Sequence, residues 1–135
     1  MKYKSHGNFF ALPNEIFLWG LTAGELAVYS FLRRCEERKT RQCWPSIKTI
    51  GKAVNMSENT VRKYIRQLEE RGIITAEPTE VIIKAGGKRN GNLRFTLRPI
   101  QEVIDEYYAR QMEDLELAEE RQRVAKLLTE QESPA

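Results

Sequence analysis

The stretch SIKTIGKAVNMSENTVRKYIRQLEERG, running from Ser46 to Gly72, decides the fold. Ser46 is placed to cap a helix that carries Ile47, Ile50 and Val54 on its apolar side. That helix is short. It stops at Asn55-Met56, where Asn55 is a residue type that tolerates the left-handed backbone of tight helix-to-helix turns. Ser57 then caps a second helix, in which Val61, Tyr64, Ile65 and Leu68 fall at i, i+3, i+4 and i+7. Asn59, Arg62, Lys63 and Arg66 repeat that spacing on the other side. One face is core and the other is cationic, and Gly72 supplies the stop.

Upstream, Asn8 to Pro13 reads as extended, because the residue before a proline is pushed out of the α region. Pro13 to Trp19 has the makings of a short helix. Thr22-Ala23-Gly24-Glu25 matches a capping box, so a helix should start there, with Val28, Phe31, Leu32 and Cys35 as its buried stripe. Cys35 is then expected in the core, while Cys43 is ambiguous. Downstream, Ile73-Ile74-Thr75 opens a β-rich stretch. Val81-Ile82-Ile83 and Leu93 to Leu97 read as the two strands of a hairpin. Its tip holds Gly86, Gly87 and Gly91 for positive φ, and the basic Lys84, Lys88 and Arg89. Beyond Pro99, a helical pattern runs to about Thr129, with Ile100, Ile104, Tyr107, Tyr108, Met112 and Leu115 leading a stripe that keeps no clean heptad past Leu115.

The chain has 135 residues and a formal net charge of +3, which conceals a division. Residues 1–40 contribute +2, residues 41–99 contribute +7 and residues 100–135 contribute −6. A basic middle suits a polyanion, and an acidic end is what a polyanion should repel. No apolar run is long enough to span a bilayer. The start lacks the apolar stretch of a secretory signal, so a cytoplasmic protein is expected. Two cysteines and a single His6 complete neither a disulfide scaffold nor a four-ligand zinc site. Neither a nucleophile motif nor a phosphate-cradling loop is present, so no enzyme and no cofactor are expected.

Two short helices joined by a tight turn, the second basic on its outer face, then a basic hairpin: this is the order of a winged helix-turn-helix. The expected fold class is mainly α with a small β-hairpin. The winged helix-turn-helix would occupy residues 1–99, a long C-terminal helix residues 100–129 and a polar tail residues 130–135. The expected partner is double-stranded DNA, whose major groove, about 12 Å wide, admits one helix. Asn59, Thr60, Arg62 and Lys63 lie in the first turns of the helix that would enter it. Asn and Arg make bidentate contacts to adenine and guanine, and Thr60 suits a thymine methyl. Arg66, one turn on, reaches toward a phosphate, as do Lys48, Lys52 and the capped helix start at Ser46. Lys84, Lys88 and Arg89 would follow the minor groove or the backbone from a flexible tip. With about six phosphates engaged, affinity should fall roughly a thousandfold between 50 and 200 mM salt.

Pro45 to Ile50, Met56 to Arg62 and Leu68 to Ile74, together with Leu12 to Phe17 and Leu26 to Tyr29, resemble the winged helix-turn-helix of Gram-positive phage, plasmid and conjugative-element proteins. The likeness covers roughly residues 9–99. It implies a transcriptional regulator of a mobile element or, as an alternative, the origin-binding domain of a replication initiator. The stretch from Ser57 to Arg62 is also similar to GntR-type regulators, which implies DNA contacts for Lys48, Ser57, Asn59, Thr60 and Arg62. Two positions depart from the pattern: Asn55, where glycine is common, and Glu58, where a basic or neutral residue is usual. A winged module that docks on proteins is the alternative of a different class. The long helix, through Tyr108, Met112, Leu115, Ala118, Val124 and Leu128, is expected to form a homodimer, which suits a palindromic site.

Overall fold

Thr22 and Glu25 close the capping box written in the sequence. The Glu25 amide donates to Thr22 Oγ1 at 3.3 Å and the Thr22 amide to Glu25 Oε1 at 2.8 Å. In this computed structural model, which describes residues 8–132, helix α1 runs Ala23–Cys35 behind that cap, preceded by a 3-10 turn at Asn14–Leu18. The polar start with His6 and the end of the tail expected at 130–135 lie outside the described residues. The buried side of α1 is Gly24, Glu25, Val28, Tyr29 and Leu32. Phe31 and Cys35, both expected in the core, are only partly covered. The stripe is rotated because Tyr29 turns inward and sets its ring edge-on to Trp19, with centroids 5.8 Å apart.

Ser46 caps α2 (Ile47–Val54) and Ser57 caps α3 (Glu58–Glu70), each accepting the amide three residues on, from Thr49 and Thr60. Between the helices Asn55 is left-handed, at φ 59 and ψ 50. Gly72 (φ 75) closes α3, its amide bonding Glu69 O at 2.9 Å and the Ile73 amide bonding Leu68 O at 3.2 Å, a Schellman-type end.

The strands differ from the expected hairpin. A two-residue strand β1 (Gln42–Cys43) pairs with β5 (Arg94–Leu97), which also pairs with β2 (Ile74–Glu77), all antiparallel. The Val81-Ile82 strand, β3 (Glu80–Ile82), pairs instead with β4 (Lys88–Asn90) in a separate two-stranded sheet. Pro78 lacks the amide a continuous ladder needs, and the sheet breaks around it. There the Gly91 amide bonds Thr79 O at 2.8 Å, the Thr79 hydroxyl donates to Asn92 O, and Asn92 Nδ2 donates to Trp44 O at 3.0 Å. Trp44 stands 45% exposed beside this clasp.

Phe95, Leu97, Ile74, Cys43, Val61, Leu68, Ile50, Val28 and Leu32 are all nearly or fully buried and make up the core between sheet and helices. Cys43, left open by the sequence, is therefore the core cysteine. Burial pushes its thiol up to about 12, with Cys35 adding to the shift, and its Sγ lies 3.7 Å from Leu32 O.

The chain divides into two compact units, Met1–Ile100 and Gln101–Ala135. Helix α4 (Ile100–Glu132) runs three residues past the expected end at Thr129. From Tyr108 to Gln131 every residue of it is exposed. Its apolar side chains do not form one stripe. Tyr108, Met112 and Leu115 share one side, while Leu117 lies about 200° around the axis from Leu115 and begins another side with Val124 and Leu128. That second side forms a shallow groove with Glu120, Arg121 and Ala125. No helix among the described residues is long and apolar enough to cross a membrane.

Candidate nucleic-acid interface

Helix α3 is set on α1 by two contacts that involve almost no space. At Gly24 an added Cβ would fall 2.1 Å from the Tyr64 ring, so only glycine leaves room for that ring against α1. Arg71, just past α3, donates from Nε to Glu25 Oε2 at 2.6 Å and from Nη2 to Glu25 Oε1 at 3.0 Å. Glu25 is 1% exposed. Burial by itself raises its carboxyl, but the hydrogen bonds from Arg71 and Thr22 outweigh that and hold it below the usual carboxylate range. The same carboxylate caps α1 and anchors the end of α3. A third contact fixes α2 against the turn: at Gly51 a Cβ would meet Met56 O at 2.6 Å, while the Met56 amide bonds Gly51 O at 2.9 Å.

With Val61, Ile65 and Leu68 buried, the outer side of α3 presents Asn59, Arg62, Lys63 and Arg66, all exposed. Arg62 is already oriented. Its Nη1 donates to Asn59 Oδ1 at 3.3 Å and its Nη2 lies 3.6 Å from Glu58 Oε1. Lys63 Nζ lies 5.2 Å from the centroid of the Tyr64 ring. The Ser57 hydroxyl is 2.9 Å from Thr60 Oγ1, and that of Ser46 is 2.8 Å from Thr49 Oγ1, so both serines act first as caps. Lys48 and Lys52 stand exposed on α2 and line one shallow hollow with Asn55, Met56, Ser57 and Glu58. The α2 and α3 residues therefore come together, with one carboxylate among them.

The hairpin departs from expectation. Lys88 and Arg89 are not at the tip but in β4, where they pair opposite Ile82 and Val81. Neighbours along a strand point to opposite faces, so these two cations serve different sides of the ribbon. Lys88 Nζ is 3.6 Å from Glu80 Oε2. Lys84 belongs to the turn, which closes with Ile83 N to Gly87 O at 2.9 Å. Of the three glycines only Gly86 has positive φ (90°); Gly91 is needed for space, since a Cβ there would meet Thr79 Oγ1 at 2.6 Å.

Gly24, Gly51 and Arg71 escape a reading by motif. Gly51 does carry a signal, because a glycine inside a helix costs about 1 kcal/mol against alanine and calls for a reason such as close approach. Arg71 carries none, its partner lying 46 residues away.

Residues 20–74 match a family profile described as a helix-turn-helix domain. No curated protein matches the chain. Among solved structures, it is similar to a protein described as a "possible transcriptional regulator" from Methanosarcina mazei Go1, at 18% identity over 85% of this chain and 82% of that one, with a TM-score of 0.48. A MarR family transcription regulator gives 18% identity over 84% and 73%, with a TM-score of 0.46. BpsR of Bordetella bronchiseptica, described for the regulation of its DNA binding by 6-hydroxynicotinic acid, gives 21% over 86% and 78%, with a TM-score of 0.40.

Proposed function

We infer that this chain is a sequence-specific double-stranded DNA-binding protein acting as a transcriptional regulator of a mobile element. One observation carries the reading: within a helix-turn-helix, α3 buries Val61, Ile65 and Leu68 and turns Asn59, Arg62, Lys63 and Arg66 outward. Those are the side chains that read base edges and hold phosphates. Asn59 and Arg62, already hydrogen-bonded to each other, enter the major groove as a preset pair, so less side-chain entropy is lost on binding. Thr60 contributes its methyl. Lys48, Lys52 and Arg66 take phosphates, with the helix starts at Ser46 and Ser57 adding their amides. Lys84, Lys88 and Arg89 engage the duplex from the hairpin. Glu58 is the one acid in this set, and it charges non-specific phosphate contact a penalty while steering Arg62.

The exposed apolar side chains of α4, among them Met112, Leu115, Leu117 and Leu128, support a homodimer through residues 100–129, because pairing with a second copy would bury them. Selection of binding sites from a random duplex pool tests the reading as a whole. A regulator enriches one site, with two-fold symmetry if the dimer forms; a replication initiator enriches sites that recur near an origin. Failure to enrich any sequence contradicts DNA recognition and favours a protein-docking module. Sedimentation at micromolar concentration checks the dimer, which a strict monomer contradicts.

A further inference from the structure

The β3–β4 hairpin exposes more apolar surface than its fold requires. Ile82 is 77% exposed, and Val81 and Ile83 are each 39% exposed. Strand alternation divides them. Val81 and Ile83 share one face, where Ile83 lies against Gly87 and Val81 against Gly91. Ile82 shares the other face with Glu80 and, across the ladder, with Lys88 and Asn90. It therefore stands as the one apolar point on that face, beside Lys88, whose Nζ lies 3.6 Å from Glu80, with Lys84 in the adjoining turn and Arg89 on the opposite face. The segment 80–91 holds three cations against the single acid Glu80. A lone apolar side chain on a ribbon of net positive charge is poorly matched to an apolar protein groove but well matched to a nucleic-acid groove, whose walls are anionic and whose floor is stacked base.

We propose that Ile82 is a wedge that enters the minor groove and partly unstacks a base step, so that this protein bends the DNA it binds. The proposal rests on the DNA-binding reading above. Apolar wedges of this size, isoleucine included, unstack steps and kink the duplex by about 20–90°, with the energy returned by extra backbone contacts along the bend. Here Lys84, Lys88 and Arg89 are the cations that a bent backbone would gain. The ribbon is held for the task at its base, by the Thr79–Asn92 and Asn92–Trp44 hydrogen bonds, so the wedge is presented on a braced strand pair rather than on a free loop. Pyrimidine–purine steps, which unstack most readily, are the ones it would select.

The test uses the full chain and a duplex carrying the site enriched by selection, labelled at both ends for energy transfer, with 2-aminopurine placed at successive steps. The wild type should raise end-to-end transfer and brighten 2-aminopurine at one step. Ile82→Ala should bind about 3–10 times more weakly, which is roughly one lost wedge contact, and abolish both signals. Ile82→Leu should keep them. Tight binding by the wild type with no change in transfer, or a full bend by Ile82→Ala, overturns the wedge while leaving DNA recognition intact. Absence of binding to any duplex overturns both readings.

Discussion

Helix α3 and the β3–β4 hairpin both carry exposed cations, but they are supported in opposite ways. Behind Arg62 and Lys63 stand fully buried Val61 and Leu68, the Tyr64 ring pressed on Gly24, and buried Glu25 with its partner Arg71. Behind Lys88 and Arg89 there is no core, since every residue from Val81 to Asn90 is exposed. A two-stranded ribbon of this kind is marginal by itself. The helix is thus a rigid element whose position depends on packing, and the hairpin is a peripheral arm with no core of its own.

Truncation should separate the two most widely. Leu68→Ala, at a site with no exposure, should cost about 2–5 kcal/mol, whereas Ile82→Ala should change stability by less than about 0.5 kcal/mol. Urea unfolding of the two variants measures the gap, and similar losses would mean that the hairpin has a hidden core. Next in size is Glu25→Gln. Neutralising a buried carboxylate that holds a guanidinium is costly, but about a third of Arg71 lies in solvent, so about 1–3 kcal/mol is expected.

The pH dependence of that loss has a definite sign. Glu25 in the folded protein is held below its ordinary value of about 4.5. The pair therefore contributes fully above that pH, and the contribution fades as pH falls through the lowered folded value. The difference in stability between wild type and Glu25→Gln should be constant near neutrality and close below about pH 4.5. A gap that widens in acid would contradict the assignment. Smallest is the turn: Asn55→Gly relieves a left-handed backbone and should stabilise by a few tenths of a kcal/mol, while Asn55→Ala should destabilise by about 1 kcal/mol.

The two regions also differ in how much of them the sequence discloses. Caps, the turn and the two faces of α3 are local matters, settled within four or five residues by Thr22 and Glu25, by Ser46, Asn55 and Ser57, and by the spacing of Val61, Ile65 and Leu68. The three-stranded sheet, which leaves the hairpin its place, is settled at long range. Strand β1 is two residues without an alternation to read, and it exists because Gln42 pairs with Thr96 and Cys43 with Phe95, over fifty residues on. That pairing also decides which cysteine is buried. The strand break at Pro78 moves Val81-Ile82 off the Leu93–Leu97 segment and onto Lys88 to Asn90, which takes Lys88 and Arg89 from a tip to the two faces of a ribbon. In the interface, the identities on α3 were legible, but what orients them was not. Arg71 finds Glu25 only in three dimensions, and the Arg62–Asn59–Glu58 contacts require rotamers that spacing does not specify.

Whether α3 reads DNA through its outward cations is tested most directly by the affinity of Arg62→Ala combined with Lys63→Ala for the selected duplex and for random duplex. Both side chains are exposed, so the double variant should fold. Loss of about 2–5 kcal/mol of binding to the selected site, with a shallower salt dependence, is the predicted result. Unchanged affinity for every duplex tested would contradict it.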